Sequence, residues 1–359
     1  MPSPSSKKIL LVPLDWGLGH TTRSIPIIQE LLALGHEVHL GGAAMTQVIF
    51  KEEFSELPFY DFPSYGISYP QRGNKFMSHI VKLLPRIYKA IRLEKKRTQE
   101  LMCQHNFDII FSDNRFGVQA SGAVNIMLSH QLNLLVPQSK LAGSIANFCN
   151  SYFINQFNKV AIPDFENNIL SGALSSDSGI KPKAYFLGNL SRWSLSKNQD
   201  DKERSGVLVI LSGPEPQRTI LEDLIIKQSQ EIKNEITIVR ALPQSNLLPE
   251  SEKIRFYNHL PGPQLQALVE KSEVVLSRAG YTTIMDLLAV NRHAILIPTP
   301  GQTEQEYLAE NLQGQNLFLF YPQKGFNLKR ALKEFKEKKW GRFPKTSCLL
   351  SDRLAELTS

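Results

Sequence analysis

The chain has 359 residues, a formal net charge of +7, and 42% hydrophobic and 21% charged residues. This length exceeds what one hydrophobic core usually organises, and the composition is that of a soluble globular protein, so we expect two domains. Cys103, Cys149 and Cys348 are widely scattered, which predicts neither a disulfide framework nor a metal site. No apolar run approaches the roughly 18 residues that span a bilayer. We therefore expect a cytoplasmic protein without a secretion signal.

The first half of the chain shows alternating strand and helix patterns. We expect strands over 8–14, 36–40, 107–112, 125–129 and 183–187, and helices over 21–34 and 116–123. Gly35 is placed to end the first helix.

The first predicted strand leads into the turn Asp15-Trp-Gly-Leu-Gly-His-Thr-Thr. A dinucleotide fingerprint would have a third glycine where this chain has Thr22, and no acid follows the second strand, so a dehydrogenase is disfavoured. His20 lies at the carboxyl end of the first strand, where an imidazole of pKa about 6.5 could accept a proton from an attacking hydroxyl. The alternative is a histidine that only bonds backbone near the helix start.

Two further polar residues follow strands of the same predicted sheet. Asp113 and His130 should emerge at the same edge as His20. Asp113 could orient a catalytic imidazole, or it could simply begin a turn. We favour His20 over His130 as the base because the loop around His20, with Gly17 and Gly19, leaves room for an acceptor. Asp15 and His130 are the alternatives.

Residues 75–97 carry eight basic side chains against Glu94 alone. At helical spacing the span also has an apolar face formed by Met77, Ile80, Val81, Leu84, Ile87, Tyr88 and Ile91. Two interpretations are open. The helix lies on anionic lipid at the inner face of a membrane, or its apolar face packs on the domain, with Pro85 kinking or dividing it. The charge has no accompanying nucleic-acid motif, so we expect no nucleic-acid partner.

The second half repeats the strand and helix alternation after a polar linker. We expect strands over 207–211, 235–239, 253–257, 273–276, 294–297 and 317–320. The predicted fold is α/β, with two doubly wound Rossmann-like domains facing across a cleft. The predicted limits are 1–190 for the first domain, 191–205 for the linker, 206–345 for the second domain and 346–359 for a C-terminal tail.

Two strand-to-helix turns in the second half suit a nucleotide diphosphate. In SRAGYTTIMDLLA (277–289), small residues precede a helix whose N-terminus favours an anion, and Asp286 could accept ribose hydroxyls. Thr283 and Asp286 also fit a capping box that needs no ligand. In PTPGQTEQEYLAENL (298–312), Gly301 permits a tight turn. Gln302 and Gln305 suit sugar hydroxyls, whereas Glu304 and Glu306 could merely complement the helix dipole.

The motifs SRAGYTTIMDL, PGQTEQEY and GLGH resemble those of GT-B glycosyltransferases. The chain is similar over nearly its whole length to the MurG-like glycosyltransferase family 28. The resemblance implies a UDP-sugar as co-substrate without a further cofactor. It implies phosphate and nucleotide contacts from Gly17, Gly19, Ser212, Gly213, Arg218, Leu260, Ser277, Gly280, Tyr281, Thr282 and Asp286. It implies donor-sugar contacts from Gly301, Gln302, Glu304 and Gln305.

The pairing of His20 with Asp113 resembles the catalytic dyad of plant-type UDP-glycosyltransferases instead. LSGPEPQRT (211–219) departs from the family's glycine-rich loop through Pro214 and Pro216.

The predicted reaction is inverting transfer of a hexose or N-acetylhexosamine to an acceptor hydroxyl. No Asp-x-Asp motif is present, which agrees with metal independence. The acceptor stays open between lipid-linked sugar, polysaccharide and small molecule. The alternatives are a UDP-sugar 2-epimerase of the same fold and a non-catalytic nucleotide-sugar-binding partner subunit.

Overall fold

The chain forms two parallel β-sheets covered by helices. The computed structural model describes residues 6–16, 18–66, 76–136, 140–176, 179–194, 204–213, 215–344 and 350–359, with only the backbone of 76–82. Within these ranges the strands before residue 190 form one sheet and those after residue 204 form the other. The predicted doubly wound α/β fold is confirmed.

The first sheet has the strand order β3-β2-β1-β4-β5-β6-β7. Its strands are β1 (Lys8–Pro13), β2 (Glu37–Gly42), β3 (Phe59–Asp61), β4 (Ile109–Asp113), β5 (Val124–Leu128), β6 (Lys159–Ile162) and β7 (Lys183–Phe186). All neighbours are parallel, and Pro13 at the end of β1 is in register with Asp113 at the end of β4. The central strands are buried throughout because helices cover both faces.

Helices α1 (Gly19–Ala33), α2 (Ala44–Glu53), α3 (Phe76–His105) and α4 (Lys140–Ile154) connect these strands. Helix α1 ends as predicted, since Gly35 follows it with φ of 84°. Helix α3 is continuous through Pro85, so the expectation that this proline divides it is wrong. None of the described helices has both the length and the apolar character needed to cross a membrane.

The predicted helix over 116–123 is wrong. The structure has turns and extended backbone there. Asn125 bonds both the N–H and the carbonyl oxygen of Ala120, at 2.9 Å each, and Ser112 bonds the backbone of Arg115. These bonds between side chains and backbone replace the helical ladder.

The second sheet has the order β10-β9-β8-β11-β12-β13, again with all neighbours parallel. Its strands are β8 (Ser205–Ile210), β9 (Ile236–Val239), β10 (Ile254–Tyr257), β11 (Ser272–Ser277), β12 (Ala294–Leu296) and β13 (Phe318–Phe320). The helices are α5 (Gln217–Ser229), α6 (Gly262–Lys271), α7 (Tyr281–Ala289), α8 (Thr303–Gln313), α9 (Leu328–Glu337) and α10 (Leu350–Thr358).

Each sheet has one point where the strand order reverses. In the first sheet it lies between β1 and β4, and in the second between β8 and β11. Open parallel sheets bind ligands outside the carboxyl ends of the strands at such points. The fold therefore selects the loops after β1, β4, β8 and β11 as the walls of a binding site.

The predicted tail forms helix α10, which packs against α1 and β7 of the first sheet. Lys159 donates from Nζ to the Leu357 carbonyl at 2.7 Å, and Lys183 pairs with Glu356 at 3.6 Å. The end of the chain therefore belongs to the first sheet in space.

Helix α3 is anchored by a buried ion pair. Arg115 and Glu94 have no exposed side-chain surface, and their Nη1 and Oε1 atoms lie 2.7 Å apart. Arg115 also pairs with Asp15 at 3.2 Å and donates to the Pro13 carbonyl at 2.7 Å. Tyr65 donates to Glu94 at 2.9 Å. Asp15, which the sequence offered as an alternative catalytic base, is thus paired with the buried Arg115.

We expect Glu94→Ala to destabilise the protein by about 3–5 kcal/mol, because the buried Arg115 cation loses its fully buried partner and keeps the longer pair with Asp15. Urea unfolding at neutral pH measures the loss. Glu100→Ala is the matched control on the same helix: Glu100 makes only surface pairs with Lys96 and Arg97, and its loss should stay below about 1 kcal/mol. Equal losses for both variants would contradict the anchoring role of Glu94.

Candidate active site at the facing sheet edges

His20 and Asp113 lie together at the switch point of the first sheet. His20 is in the first turn of α1, directly after the loop that follows β1, and Asp113 ends β4. His20 Nδ1 lies 2.9 Å from Asp113 Oδ1. Their side chains are 15% and 2% exposed, so the imidazole alone reaches toward the cleft.

Arg23 is a third member of this group, one helical turn after His20. It is buried, and it donates from Nε to Asp113 Oδ2 at 2.8 Å and from Nη2 to Asp113 Oδ1. Its Nη2 is also 2.8 Å from His20 Nδ1. Burial alone would raise the pKa of Asp113, but Arg23 and His20 outweigh it and lower the pKa to about 2. Asp113 is therefore ionised at neutral pH.

The pKa of His20 is lowered from its ordinary value. Burial is the main cause, and Arg23 and His130 act in the same direction, while Asp113 opposes them. A lowered pKa keeps the imidazole neutral near pH 7, which is the form that accepts a proton.

His130 lies on the same sheet edge but faces the second sheet. Its ring stacks on Tyr281, with centroids 3.9 Å apart and planes within 7°. Its Nδ1 is 3.0 Å from Arg23 Nη1, and its Nε2 is 3.1 Å from Glu304 Oε1. Gln131 also donates to Glu304. The two halves of the chain are thus joined through these side chains.

The N-termini of α1 and α7 meet across the cleft. Thr282 Oγ1 donates to the Gly19 carbonyl at 3.1 Å. A Cβ atom on residue 19 would lie only 3.1 Å from Thr282 Oγ1. Gly19 therefore permits the close approach of the two turns. Gly17 lies outside the described residues.

Helix α7 presents a bare N-terminus to this cleft. Its N-cap is Gly280, with no side-chain cap and no acid in the first turn. The alternative that Thr283 and Asp286 form a capping box is therefore wrong. Ser277 at the end of β11 donates to the Ile210 carbonyl at 2.8 Å and ties β11 to β8. Helix α5 also lacks an N-cap side chain, but the Glu215 carboxylate just before it accepts from the Thr219 N–H at 3.2 Å. The free N–H groups at the start of α7 favour an anion.

Arg218, predicted to contact phosphate, is engaged by carboxylates. It bonds Glu215 at 2.5 Å and Glu222 at 2.7 Å. Its phosphate contact stays a prediction and requires the half-exposed Glu215 to move. Ser212 and Gly213 precede α5 at the end of β8, and Gly213 has φ of 92°.

Arg278 is a buried cation at the switch point of the second sheet. It donates to the Gln217 carbonyl at 2.6 Å and to Gln323 Oε1 at 2.7 Å. It also donates to the carbonyls of Ile297 and Pro298 at 3.4 Å, which are neutral groups as well. Burial lowers its pKa to about 10, so it stays charged at neutral pH. Among the described side chains its charge has no carboxylate in hydrogen-bond contact.

Asp286 lies in the second turn of α7 and is buried. Its Oδ1 accepts from Ser191 Oγ at 2.6 Å. Burial raises its pKa to about 6, although Arg192 and Ser191 oppose the shift. The ribose contact stays a prediction.

The loop at 298–302, before α8, is the one that the sequence predicted to contact the donor sugar. It contains a tight turn, and two glutamine amides lie beside it. Gly301 has φ of 79°, as the predicted turn requires. Gln305 is buried, and its Oε1 accepts from the Thr299 N–H at 2.9 Å. The Gln302 Oε1 atom is buried without a hydrogen-bond partner in the described part of the chain. Glu306 accepts from the Gly301 N–H at 2.8 Å and so stabilises the turn, a role that the sequence did not predict.

Leu260, predicted to contact the nucleotide, is buried in the loop between β10 and α6. The adjacent His259 lies 3.2 Å from Glu52 of α2. This loop is therefore another contact between the two halves.

The sequence and the fold are similar to those of known glycosyltransferases. Residues 212–357 match the glycosyltransferase family 28 C-terminal domain. The UDP-N-acetylglucosamine--N-acetylmuramyl-(pentapeptide) pyrophosphoryl-undecaprenol N-acetylglucosamine transferase of Clostridium botulinum strain Hall is 24% identical over 289 residues, 78% of this chain and 75% of the relative. An uncharacterized glycosyltransferase of Methanosarcina mazei is 21% identical over 317 residues, 83% and 81% of the two chains.

The solved structure of the kitacinnamycin glycotransferase superposes with a TM-score of 0.63 at 14% identity and covers 99% of this chain and 94% of that one. The chain is a glycosyltransferase with the GT-B fold, and its second half carries the family 28 C-terminal domain.

The sequence of this glycosyltransferase did not single out Arg23 or Arg278. A signal was available for Arg23, because it lies three residues after His20 and so shares its helical face. No signal identifies a buried arginine such as Arg278 before its surroundings are known.

We expect Asp286→Asn to stabilise the glycosyltransferase above pH 6 by about 1–3 kcal/mol. Burial raises the folded-state pKa of Asp286 from 3.8 to about 6, so ionisation between these values disfavours the fold. The asparagine variant lacks this effect. Urea unfolding should show the gain at pH 7.5 and no difference below about pH 4. A gain that is independent of pH would contradict the assignment.

Proposed function

We propose that this glycosyltransferase moves a hexose or N-acetylhexosamine from a UDP-sugar to an acceptor hydroxyl, with inversion and without a metal ion. The observation that carries the proposal is the position of His20. Its ring lies at the switch point of the first sheet, held by Asp113, and the bare N-terminus of α7 faces it across the cleft.

The proposed reaction is a single displacement. The acceptor hydroxyl gives its proton to His20 Nε2, because Nδ1 is occupied by Asp113. The hydroxyl oxygen forms a bond to the anomeric carbon while the bond from that carbon to the phosphate oxygen breaks. The electron pair leaves with the nucleotide diphosphate. Attack from the side opposite the leaving group inverts the anomeric centre. Asp113 stabilises the imidazolium that forms.

The leaving diphosphate is proposed to be stabilised by groups of the chain itself. The N-terminus of α7 offers free N–H groups, and Arg278 supplies a positive charge whose described partners are neutral. These groups support a metal-independent reaction, as does the lack of an Asp-x-Asp motif in the sequence.

We propose UDP-N-acetylglucosamine as the donor and a lipid-linked sugar as the acceptor. The name of the Clostridium botulinum relative contains both classes of compound. Asp286 would accept the ribose hydroxyls, and Gln302 and Gln305 would bind the sugar. The buried, unpartnered oxygen of Gln302 supports this role because a sugar hydroxyl would satisfy it.

We expect His20→Ala to reduce transfer by about 100-fold or more, because it removes the general base, while the dissociation constant for UDP stays close to that of the unmodified protein. Initial rates and calorimetric titration with UDP measure the two effects. His105→Gln is the control, since His105 at the end of α3 bonds Tyr60 of β3, away from this site. Full turnover by the His20 variant would overturn the assignment of the base.

A UDP-sugar 2-epimerase of the same fold is the alternative. Incubation with UDP-N-acetylglucosamine alone separates the two reactions, because an epimerase needs no acceptor. An epimerised or hydrolysed sugar would favour the alternative. UDP binding without turnover across a broad acceptor panel would favour a non-catalytic subunit.

We further propose that α3 and α4 contact an anionic membrane surface. The predicted apolar face of α3 is divided: Ile91 is buried, whereas Leu84 and Tyr88 are more than half exposed. The side chains of Met77, Ile80 and Val81 lie outside the described residues. Basic residues Arg86, Lys89, Arg92 and Lys96 accompany the exposed part of α3.

Helix α4 extends this surface and was not predicted from the sequence. Leu141, Ile145, Phe148 and Tyr152 lie on one face at helical spacing and are 57–74% exposed. The helix contains no Asp or Glu. Phe153 of α4 and Ile87 of α3 pack near Phe116, so the two helices are neighbours. An apolar face beside basic residues suits anionic lipid.

We expect the protein to sediment with vesicles containing about 30% phosphatidylglycerol and to be released from them by salt, because the basic residues supply part of the attraction. Phe148→Ser should weaken binding several-fold. Leu247→Ser is the matched control, because Leu247 is 81% exposed in the second half of the chain. Equal binding to neutral phosphatidylcholine vesicles would contradict the role of charge.

A further inference from the structure

A continuous chain of polar contacts crosses the cleft from His20 and Asp113 to Glu304 in the first turn of α8. Asp113 bonds Arg23 at 2.8 Å, Arg23 lies 3.0 Å from His130 Nδ1, and His130 Nε2 lies 3.1 Å from Glu304. Asp113, Arg23 and His130 are each no more than 3% exposed, and the Glu304 side chain is 17% exposed. These groups are shielded from solvent, which strengthens their mutual interactions.

The hydrogen-bond chemistry of arginine fixes the tautomer of His130. A guanidinium only donates, so Nδ1 of His130 accepts from Arg23, and the ring proton lies on Nε2. That proton is then donated to the Glu304 carboxylate. Both ring nitrogens are used, and one ring face lies on Tyr281. His130 is therefore arranged as a bridge between the two halves, and His20 is left as the base.

His20 Nδ1 faces two groups that demand opposite protonation. Asp113 Oδ1, at 2.9 Å, requires a proton on Nδ1, whereas Arg23 Nη2, at 2.8 Å, requires a lone pair there. Only the tautomer protonated on Nδ1 has a free lone pair on Nε2 for the acceptor hydroxyl. Asp113 and Arg23 therefore compete for Nδ1, and the tautomer of His20 depends on how strongly Arg23 is held by Asp113 and His130 instead.

Glu304 adds a negative charge to this group when the two halves are in contact. Burial alone would raise the pKa of Glu304, but His130, His20 and Arg23 together lower it. Since electrostatic coupling is reciprocal, the ionised Glu304 favours the protonated form of His20 in return. Separation of the halves would remove that charge and weaken the base.

We propose that Arg23 and His130 are positioning residues that connect Glu304 in the first turn of α8 to His20, so that the strength of the base depends on closure of the cleft. The titratable and charged groups around His20 are Asp113 of β4, Arg23 of α1, His130 after β5, Tyr281 of α7 and Glu304 of α8. The proposal rests on the proposed function, in which His20 is the base. It gives Glu304 a role other than the sugar contact predicted from the sequence.

The first test is the pH dependence of kcat/KM for Glu304→Gln. We expect the acid limb to move to lower pH and kcat on the plateau to fall about tenfold, because the base loses a neighbouring negative charge. Glu310→Gln removes an exposed charge from the same helix and should leave the acid limb in place. An unmoved limb with only a raised donor KM would overturn the proposal and make Glu304 a sugar ligand.

The second test compares two substitutions of His130. A glutamine amide can accept from Arg23 and donate to Glu304 but cannot take up a proton, so His130→Gln should lose less than about tenfold in kcat. His130→Phe keeps the stacking surface without either bond and should lose about 100-fold. If both variants lose as much as His20→Ala, then His130 is itself the base and the proposal is wrong.

A third measurement is independent of turnover. Nitrogen-15 labelling of the histidines should show His130 in the Nε2–H tautomer, and Arg23→Lys should alter the His20 ring signals. A proton on Nδ1 of His130 would overturn the chain of contacts whatever the reaction. The expected tautomer in a protein that transfers no sugar would instead show that the proposed function fails.

Discussion

The carboxylate of Asp113 is buried where the first sheet changes direction, and the site depends on how that charge is balanced. A buried carboxylate without a partner would take up a proton and could not support an imidazolium. Arg23 balances the charge from within α1, one turn after His20. The same arginine reaches His130, and through it Glu304 in the first turn of α8. A single ion pair therefore links the geometry of the first half to the donor side of the second.

The two halves use their strand ends in different ways. The first sheet presents titratable side chains at its edge, which suits the movement of a proton. The second sheet presents helix N-termini and the buried Arg278, which suits the binding of phosphate. Neither edge is sufficient for transfer. The contact between Gly19 and Thr282 brings the two kinds of chemistry within one cleft.

Much of the fold could be predicted from the sequence because buried parallel strands appear as continuous apolar runs bounded by turns. The runs at 8–14 and 107–112 correspond to β1 and β4, and their ends bring His20 and Asp113 together. Strand β3 was missed because it has only three residues, none of them fully buried. Helix α4 was missed because its exposed apolar face gives no clear division between core and solvent.

The rest of the site depends on contacts between distant parts of the chain. His130 and Glu304 are 174 residues apart, and no local pattern predicts that they meet. Arg218 could be recognised as a cation near a phosphate loop, but its pairing with Glu222 depends on the exact start of α5.

The return of α10 to the first sheet has a mechanical consequence. The polypeptide passes between the two halves once before β8 and again before α10, so the halves are tethered at two places. Two covalent connections leave the halves fewer relative arrangements than one would, which raises the effective concentration of Glu304 around His130.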